Sequence, residues 1–362
     1  MADGQITADD VLKVLDELQD PESGRGLTKM QQVSDVTLAD DRLSLTLSLT
    51  TFSAPLWEQT KQKAVDLLRC RFTQLKEVQI NLAVLDRPPE KIGEIGLTAK
   101  SVIAVGSGKG GVGKSTIAAC TALGLARAGC SVGLLDADVY GPSIPHLLGA
   151  TEKPVVDPGS ERIVPIEAGG VKIMSMGLLI PPDEAVIWRG PMLHRWITQF
   201  LRDTAWGNLD YLIIDMPPGT GDVALTLSQL LPLTGAVIVC TPQDVALLDA
   251  VKAIAMFRKV NIPLLGMVEN MSYFVCPDCD KRHDIFGHGG AKARSAELDV
   301  PFLGEAPINI QVRKHGDEGR SAANFDESDV AAPFEAICQR LVENMAASRL
   351  DAPPLPTLSV LG

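Results

Sequence analysis

Apolar residues follow two different periodicities in the first part of the chain, and together these predict a small α+β domain. Apolar residues spaced three and four apart between positions 11 and 18 indicate a helix with one buried face. From Leu43 to Leu49, and again from Val78 to Val84, apolar residues alternate with smaller or polar ones, as in half-buried strands. A second helix is predicted over Pro55 to Phe72, because proline is tolerated in a first turn. With a weaker strand at 33–38, the predicted order is α-β-β-α-β.

Beyond residue 100 the apolar positions come in short uninterrupted runs instead. Such runs are typical of strands buried on both faces, as in a parallel sheet. The runs interpreted as strands are residues 102–105, 131–135, 211–214, 236–240 and 264–268. Because helical segments separate several of them, we predict an α/β fold: a mostly parallel sheet with helices on both faces, preceded by the small α+β domain.

Changes in composition suggest where the segments of the chain meet. Two adjacent prolines, two glycines and mixed charge indicate a linker after the small domain. The end of the chain has three prolines and little to bury, so we expect it to be disordered. The expected segments are the small domain at 5–86, the linker at 87–100, the large domain at 101–348 and the tail at 349–362.

Charge and hydropathy limit the expected partners. The 362-residue chain has a net charge of −12, so it gains nothing electrostatically from nucleic acid or anionic lipid. No apolar run approaches the roughly 20 residues that span a bilayer, and no N-terminal signal pattern is visible. We therefore expect a cytoplasmic protein with neither a nucleic-acid nor a membrane partner.

One glycine-rich stretch carries the clearest chemistry. It follows the predicted strand at 102–105 and opens a predicted helix at 115–128, which is the context of a phosphate-binding loop (P-loop). Glycines let successive backbone N–H groups turn around the phosphates, and the positive end of the helix adds to this anion site. The expected nucleotide-binding residues are Gly108, Lys109, Gly110, Gly111, Val112, Gly113, Lys114, Ser115 and Thr116.

Two lysines in this stretch are candidate catalytic residues. Lys114 can reach the terminal phosphates, and the hydroxyl of Ser115 can bind Mg²⁺. Lys109 is unusual, because a second lysine so close to Lys114 would crowd two cations onto the same phosphates. We interpret Lys109 as reaching the nucleotide of a second subunit, where it would stabilise the charge that develops in hydrolysis.

Carboxylates follow two of the predicted strands. Asp136 and Asp138 come after one strand and Asp215 after another, and the carboxyl edge of an open α/β sheet is where ligands bind. Asp215 and Asp136, with Ser115, are the candidate magnesium ligands. Asp138 or Asp136 suits orientation of the attacking water, and Asp138 is the candidate catalytic residue.

Two further residues are candidates for contacts with the nucleotide. Gly219 lets a backbone N–H approach the γ-phosphate and respond to its loss. Asn270 follows the last predicted strand, and its amide can donate to and accept from the adenine edge. A turn at the end of the strand explains Asn270 equally well.

Cys276 and Cys279 form a C-x-x-C pair, whereas the other five cysteines stand alone and are interpreted as buried apolar residues in a reducing compartment. Two thiolates at this spacing can bind one soft metal centre, but a stable site needs four ligands. Either a two-fold dimer joins two such pairs, or His283 and His288 complete a zinc site within one chain. We favour the dimer, because the spacing is too tight for a zinc finger. A redox dithiol is the remaining interpretation.

The stretch with Lys109 resembles the deviant Walker A motif of the MinD/ParA/nitrogenase-iron-protein group of dimeric P-loop ATPases. Other stretches resemble one branch of that group, the Mrp/ApbC-type iron–sulfur cluster carriers, and together they cover nearly all of 101–345. The small domain resembles a domain of other iron–sulfur assembly proteins. The stretches that carry the resemblance to the branch are residues 136–145, 188–191, 215–222, 269–273, 276–279 and 285–290.

The resemblance implies a homodimer with ATP and Mg²⁺ at the interface and Lys109 acting across it. It further implies a 4Fe-4S cluster bridged by Cys276 and Cys279 of both subunits and passed to apo-proteins, with slow ATP hydrolysis coupled to the transfer. Some relatives of the small domain have a cysteine in the loop after its alternating strand, but residues 50–55 contain none. We therefore expect this domain to recognise partners rather than bind metal.

Three other functions were weighed. A MinD/ParA-like positioning ATPase needs a basic surface or an amphipathic terminal helix, which this acidic chain with its proline-rich tail does not offer. An electron donor of the nitrogenase-reductase kind needs cysteines from two distant motifs, whereas this chain has an adjacent pair. A zinc-binding ATPase without cluster transfer is the third alternative.

Overall fold

The structure is a computed structural model that describes residues 6–180, 190–219 and 221–350. The chain divides into two compact units. One holds the described residues up to Asp86 together with those from Val342 onward, and the other is Arg87–Leu341. In the described part of the chain, no helix combines the length and the apolar character needed to cross a bilayer.

The first unit has the predicted α-β-β-α-β order. Its helices and strands are α1 (Ala8–Leu15), β1 (Val33–Ala39), β2 (Arg42–Leu49), α2 (Trp57–Arg71) and β3 (Glu77–Val84). Strand β2 pairs antiparallel with β1 and parallel with β3, and its alternate leucines are buried in the core of this unit. The second helix begins later than predicted, because Pro55 lies in a 3-10 segment, Thr51–Leu56, that precedes it.

The second unit is built on one large sheet. Its helices and strands are β4 (Lys91–Ile92), β5 (Leu97–Gly106), α3 (Lys114–Arg127), β6 (Val132–Asp136), α4 (Ile144–Leu148), β7 (Val155–Val156), β8 (Ile163–Val164), β9 (Ile166–Ala168), β10 (Val171–Ser175), α5 (Gly190–Asp203), β11 (Leu209–Asp215), α6 (Asp222–Leu230), β12 (Gly235–Cys240), α7 (Asp244–Lys259), β13 (Leu264–Val275), β14 (Arg282–His283), α8 (Gly290–Glu297), β15 (Phe302–Ile308), α9 (Ile310–Asp317) and α10 (Ser328–Leu350). The residues of α10 from Val342 onward belong to the first unit.

The sheet is mostly parallel, as predicted. Its strand order is β14-β13-β12-β5-β11-β6-β10-β9, with β15 also paired to β13 and β4 to β5. The strands from β13 to β10 in this order pair parallel, and β4, β9 and β14 pair antiparallel. Leu212 and Ile214 share a core cluster with residues of α5, α6 and α7, whereas Ile213 between them is fully buried outside that cluster. Both faces of the sheet are therefore covered.

Parallel register brings the carboxyl ends of the central strands to one edge. Asp215 at the end of β11 pairs with Asp136 at the end of β6 on one side and with Val105 of β5 on the other. The P-loop leaves β5 directly after this position. The sequence-predicted carboxylates and the P-loop are thus placed side by side by the sheet itself.

Two of the expected segment boundaries need correction. The expected linker at 87–100 contains β4 and the first residues of β5, where Leu97 and Ala99 are buried in the core of the large unit. The uninterrupted apolar run at 102–105 marks only part of β5, because this strand begins with alternating burial. Helix α10 continues through residues 349–350, which were expected to be disordered, and residues 351–362 of the expected tail lie outside the described residues.

Candidate nucleotide and metal site

The P-loop runs from the end of β5 to the start of α3, in the predicted strand–loop–helix context. Gly108 is required by close packing, because a Cβ there would lie 2.1 Å from the backbone of Asp249 in α7. Gly113 has a φ of 79°, which favours glycine, and it lies immediately before the first residue of α3. The loop is also held from within, since the Ser107 hydroxyl donates to the Lys109 carbonyl at 2.9 Å.

Lys114 is the buried centre of this site. Its ammonium donates to Oδ1 of Asp215 at 2.5 Å and to the Ser115 hydroxyl at 3.1 Å. The side chains of Lys114 and Asp215 are 7% and 0% exposed. Three residues predicted separately from the sequence thus come together at one point.

Asp215 has an open coordination position. Burial raises the pKa of Asp215 above its ordinary value, although Lys114 opposes this by favouring the charged form. Its second oxygen, Oδ2, is buried and has no hydrogen-bond partner among the described residues. A buried carboxylate oxygen without a donor, beside a serine hydroxyl, fits a divalent cation with oxygen ligands.

Asp136 is more strongly held by the protein. Its Oδ1 accepts from the Asp138 N–H, and its Oδ2 accepts from the Ile144 N–H and the Ser175 hydroxyl. Burial and the charge of Asp215 raise the pKa of Asp136 to about 7. Both oxygens therefore have partners, and a role for Asp136 in binding magnesium remains a prediction.

The other two predicted residues of this edge also lie beside the site. Asp138 is buried, and its Oδ1 accepts from the Gly141 N–H at 3.2 Å. Gly219 has a φ of 91°, and its N–H donates to the Ser107 carbonyl at 3.0 Å, which ties the segment after β11 to the P-loop. Their expected roles with the attacking water and the γ-phosphate remain predictions.

Lys109 differs from Lys114 in its surroundings. Its side chain is half-buried, and among the described residues no carboxylate lies within ion-pairing distance of its ammonium. The expected action of Lys109 on the nucleotide of a second subunit remains a prediction.

Asn270 lies within β13, not after the strand as predicted. Its Nδ2 donates to the Val112 carbonyl of the P-loop at 2.9 Å, and the residue is 8% exposed. The amide therefore contacts the loop backbone directly, and contact with adenine remains a prediction. This contact joins residues far apart in the chain, so no local sequence pattern predicts it.

Cys276 and Cys279 lie at the tip of the hairpin formed by β13 and β14. The hairpin pairs Val275 with Arg282, and the Cys276 N–H donates to the Lys281 carbonyl at 3.0 Å. The backbone N–H of Asp278, the Cys279 thiol and the Cys279 N–H lower the pKa of Cys276 below its usual value. The two thiols are thus neighbours, and the thiolate form of Cys276 is favoured, whereas binding of a metal by this pair remains a prediction.

The zinc site with two histidines of the same chain is not formed. Among the described residues, one group of three potential metal ligands lies within 4.8 Å of one another, and it consists of Glu269, His288 and Glu305 without the cysteines. His288 instead accepts a hydrogen bond from Arg282 at 2.7 Å. Arg282 also lies over the Tyr273 ring at 3.9 Å, so this cluster anchors the base of the hairpin. No local sequence pattern predicts that Glu269, Arg282 and Glu305 come together at this point.

The strand–P-loop–helix unit, with Lys114, Ser115 and a carboxylate at the end of the neighbouring strand, defines a P-loop NTPase. Residues 98–342 match the model of the family described as NUBPL iron-transfer P-loop NTPase, and the chain belongs to this family. Residues 8–82 match a second family, described as iron-sulfur cluster assembly protein. Both resemblances inferred from the motifs are thereby confirmed.

Individual proteins agree with the family assignment. The chain is 45% identical over 353 residues to a protein of Deinococcus radiodurans named iron-sulfur cluster carrier protein, covering 97% of this chain and 99% of that one. A nucleotide-binding protein of Archaeoglobus fulgidus, solved with ADP, is 42% identical with a TM-score of 0.56, covering 64% of this chain and 90% of that one. The cell division ATPase MinD of Pyrococcus furiosus, 22% identical with a TM-score of 0.50 over 67% of this chain and 98% of its own, shares the fold.

Two stretches that contributed to the resemblance are incompletely described. Trp188, Arg189 and Thr220 lie outside the described residues. The remaining stretches lie around the P-loop and the cysteine hairpin.

Proposed function

We propose that this protein is an ATP-hydrolysing iron–sulfur cluster carrier. Two subunits would bind a 4Fe-4S cluster through Cys276 and Cys279 of each chain and transfer it to apo-proteins. The observation that carries the proposal is the pair of neighbouring thiols at the tip of a hairpin whose first strand also contacts the P-loop. Relatives are named iron-sulfur cluster carrier protein and, in Dictyostelium discoideum, iron-sulfur cluster transfer protein NUBPL.

The nucleotide site supports ATP and Mg²⁺ as its ligands. Bound magnesium would supply positive charge to the β- and γ-phosphate oxygens, and Ser115 and Asp215 would hold it. Lys114 would leave Asp215 and bind the terminal phosphates. The Asp215 carboxylate would then be free to bind Mg²⁺. Asp138, at the same edge of the sheet, would orient the attacking water.

A homodimer would complete both sites. Large apolar side chains are exposed at or after the carboxyl ends of four parallel strands, on the same edge as the P-loop. They are Tyr140, Leu225, Val245, Leu248, Val275 and Ile285. A second copy docked on this edge would cover these side chains, bring Lys109 to the partner's nucleotide and join two cysteine pairs into four thiolate ligands.

The first unit would recognise partners. It presents no cysteine in the loop between β2 and α2. Its only cysteine, Cys70, lies at the other end of α2 and is exposed, so the prediction of a buried residue was wrong for this one of the five single cysteines. The protein would work in the reducing cytoplasm, where apo-proteins would receive the cluster.

Anaerobic reconstitution with iron and sulfide tests this function. The proposal expects a dimer that contains one cluster, with four iron and four labile sulfide ions per two chains, and a broad charge-transfer absorbance. It further expects the cluster to pass to an apo-ferredoxin. Zinc at one ion per chain with no labile sulfide would contradict the proposal and favour a zinc-binding ATPase.

A further inference from the structure

Strand β13 contacts the P-loop at one point and carries the metal-binding thiols at its end. Besides donating to Val112, the amide nitrogen of Asn270 lies so close to Gly113 that a Cβ there would be 2.1 Å away. The methyl group of Met271 would lie 3.7 Å from the same Cβ. Two consecutive residues of β13 therefore pack against the part of the loop that leads into α3.

The opposite face of β13 is tied to the segment that follows the hairpin. Glu269 is fully buried and accepts hydrogen bonds from the N–H groups of Gly289 and Ala291 at 3.0 and 2.7 Å. Ser272, three residues further along the strand, donates its hydroxyl to Glu269 at 2.6 Å. A shift of β13 at Asn270 would thus also move the residues after the hairpin.

Between the P-loop contact and the cysteines, β13 has an irregular backbone. Met271 has a φ of 56°, in the left-handed region that residues other than glycine rarely adopt. The pairing of β13 with β15 shifts register between Asn270 and Phe274, so the strand bulges there. Unfavourable backbone conformations that are held by their surroundings occur often at switch regions.

We propose that Asn270 is a positioning residue that transmits the state of the P-loop to Cys276 and Cys279 through β13. When the loop closes around phosphates, the Val112 carbonyl moves, and the hydrogen bond from Asn270 carries that movement to the bulge at Met271. The cysteine pair begins six residues further on, at most about 20 Å along an extended strand. The inference rests on the proposed function, because it assumes that the nucleotide and the cysteine pair act together.

Coupling of this kind is reciprocal. If nucleotide alters the geometry of the thiols, metal on the thiols must alter nucleotide affinity by the same factor. Asn270 would then be the contact through which a loaded hairpin and an occupied P-loop favour or oppose each other.

Thiol reactivity in the metal-free protein tests the inference without a cluster. We would measure the rate of alkylation of Cys276 and Cys279 by iodoacetamide, resolved by peptide mass spectrometry, with and without a saturating Mg²⁺ complex of the β,γ-imido analogue of ATP. Cys70, which is exposed in the other unit, is the internal reference. We expect nucleotide to change the rate at the pair by about fivefold or more in the wild type.

The measured quantity is the ratio of the alkylation rates of the cysteine pair with and without nucleotide. Asn270→Ala should bring this ratio close to one when each variant is saturated with nucleotide. Asn270→Asp, which keeps the size of the side chain but cannot donate to Val112, should do the same and replaces the alanine variant if that fails to fold. Asn81→Ala, at an exposed asparagine of β3, is the matched control and should keep the wild-type ratio.

A wild-type ratio in both Asn270 variants would overturn the inference. If they also lost ATP affinity, Asn270 would be an adenine contact instead. An alkylation rate of the cysteine pair that nucleotide does not change in the wild type would also overturn the inference. Because no cluster is present in this assay, such results leave the reconstitution experiment above to judge the proposed function separately.

Discussion

The Lys114 ammonium and the Asp215 carboxylate form a buried ion pair, with Nζ 2.5 Å from Oδ1. Each is the group that would bind part of Mg²⁺–ATP, and without that ligand they neutralise each other. The pair therefore keeps two buried charges compensated until phosphate and cation take the place of the partners. In the proposed function, binding of Mg²⁺–ATP separates Lys114 from Asp215, so we expect this pair to change when nucleotide binds.

Lys114→Ala should abolish ATP hydrolysis and also lower the free energy of unfolding. The phosphate ligand is lost, and Asp215 stays buried without its cation; breaking a buried pair in this way costs roughly 3–5 kcal/mol. Because Asp215 can take up a proton instead, we expect the loss of stability to be smaller at low pH. Steady-state hydrolysis and urea unfolding measure the two effects.

Lys252→Ala is the control for this variant, because its pair with Asp249 is exposed at the lysine and should matter little for stability. Wild-type hydrolysis in Lys114→Ala would remove the P-loop from the mechanism. A variant as stable as the wild type would show that the ion pair contributes nothing in solution.

The nucleotide site could be predicted from the sequence because its parts are local. A buried strand, a glycine-rich loop and a helix follow one another directly, and the carboxylates come immediately after apolar runs. The carboxyl ends of parallel strands lie at the same edge of the sheet, so the position of Asp136 beside Asp215 follows from the two strand ends alone. The small domain was equally predictable, because Leu43 to Leu49 alternate without interruption.

Contacts between distant segments were not predictable in the same way. The Lys114–Asp215 pair and the bond from Asn270 to Val112 join residues 101 and 158 positions apart. The extension of β13 beyond residue 268 was missed because polar Glu269 and Asn270 interrupt its apolar run while being buried by tertiary partners. The position of His288 was also not predictable, because it contacts Arg282 rather than the cysteines and this contact depends on the pairing of β14 with β13.

The pKa of Asp136 predicts how stability depends on pH in the absence of nucleotide and Mg²⁺. The folded chain keeps this proton up to a pKa of about 7, whereas the unfolded chain releases it near 3.8. The contribution of this proton to stability is thus fully present below pH 3.8 and is lost as the pH rises through about 7. Urea unfolding at several pH values should show this decline in the wild type and a flatter profile in Asp136→Asn.

Asp157→Asn is the matched control, because hydrogen bonds from Ser160 lower the pKa of Asp157, which is the opposite direction to the shift at Asp136. Its profile should follow the wild type. Parallel profiles for the wild type and Asp136→Asn would contradict the raised pKa of Asp136.

Cys276→Ala should lose the cluster and keep nucleotide binding. Reconstitution with iron and sulfide, followed by iron analysis, should give little bound iron, because two of the four thiolates in a dimer are removed. Cys70→Ala removes an exposed thiol far along the chain from the hairpin and should keep the wild-type iron content. Unchanged iron content in Cys276→Ala would show that the cluster, if any, is bound elsewhere.

Lys109 offers the sharpest test of the dimer, because its role can be assigned to one subunit or the other. Lys109→Ala alone should lower the rate of hydrolysis more than the affinity for ATP, since the lysine would act on the charge that develops in the reaction. Mixing Lys109→Ala with Lys114→Ala then distinguishes the two arrangements. If Lys109 acts across the interface, each mixed dimer has one complete site, and an equal mixture should recover about a quarter of the wild-type rate. If Lys109 acts within its own chain, every site in the mixture lacks one lysine, and the rate should stay at the level of the separate variants.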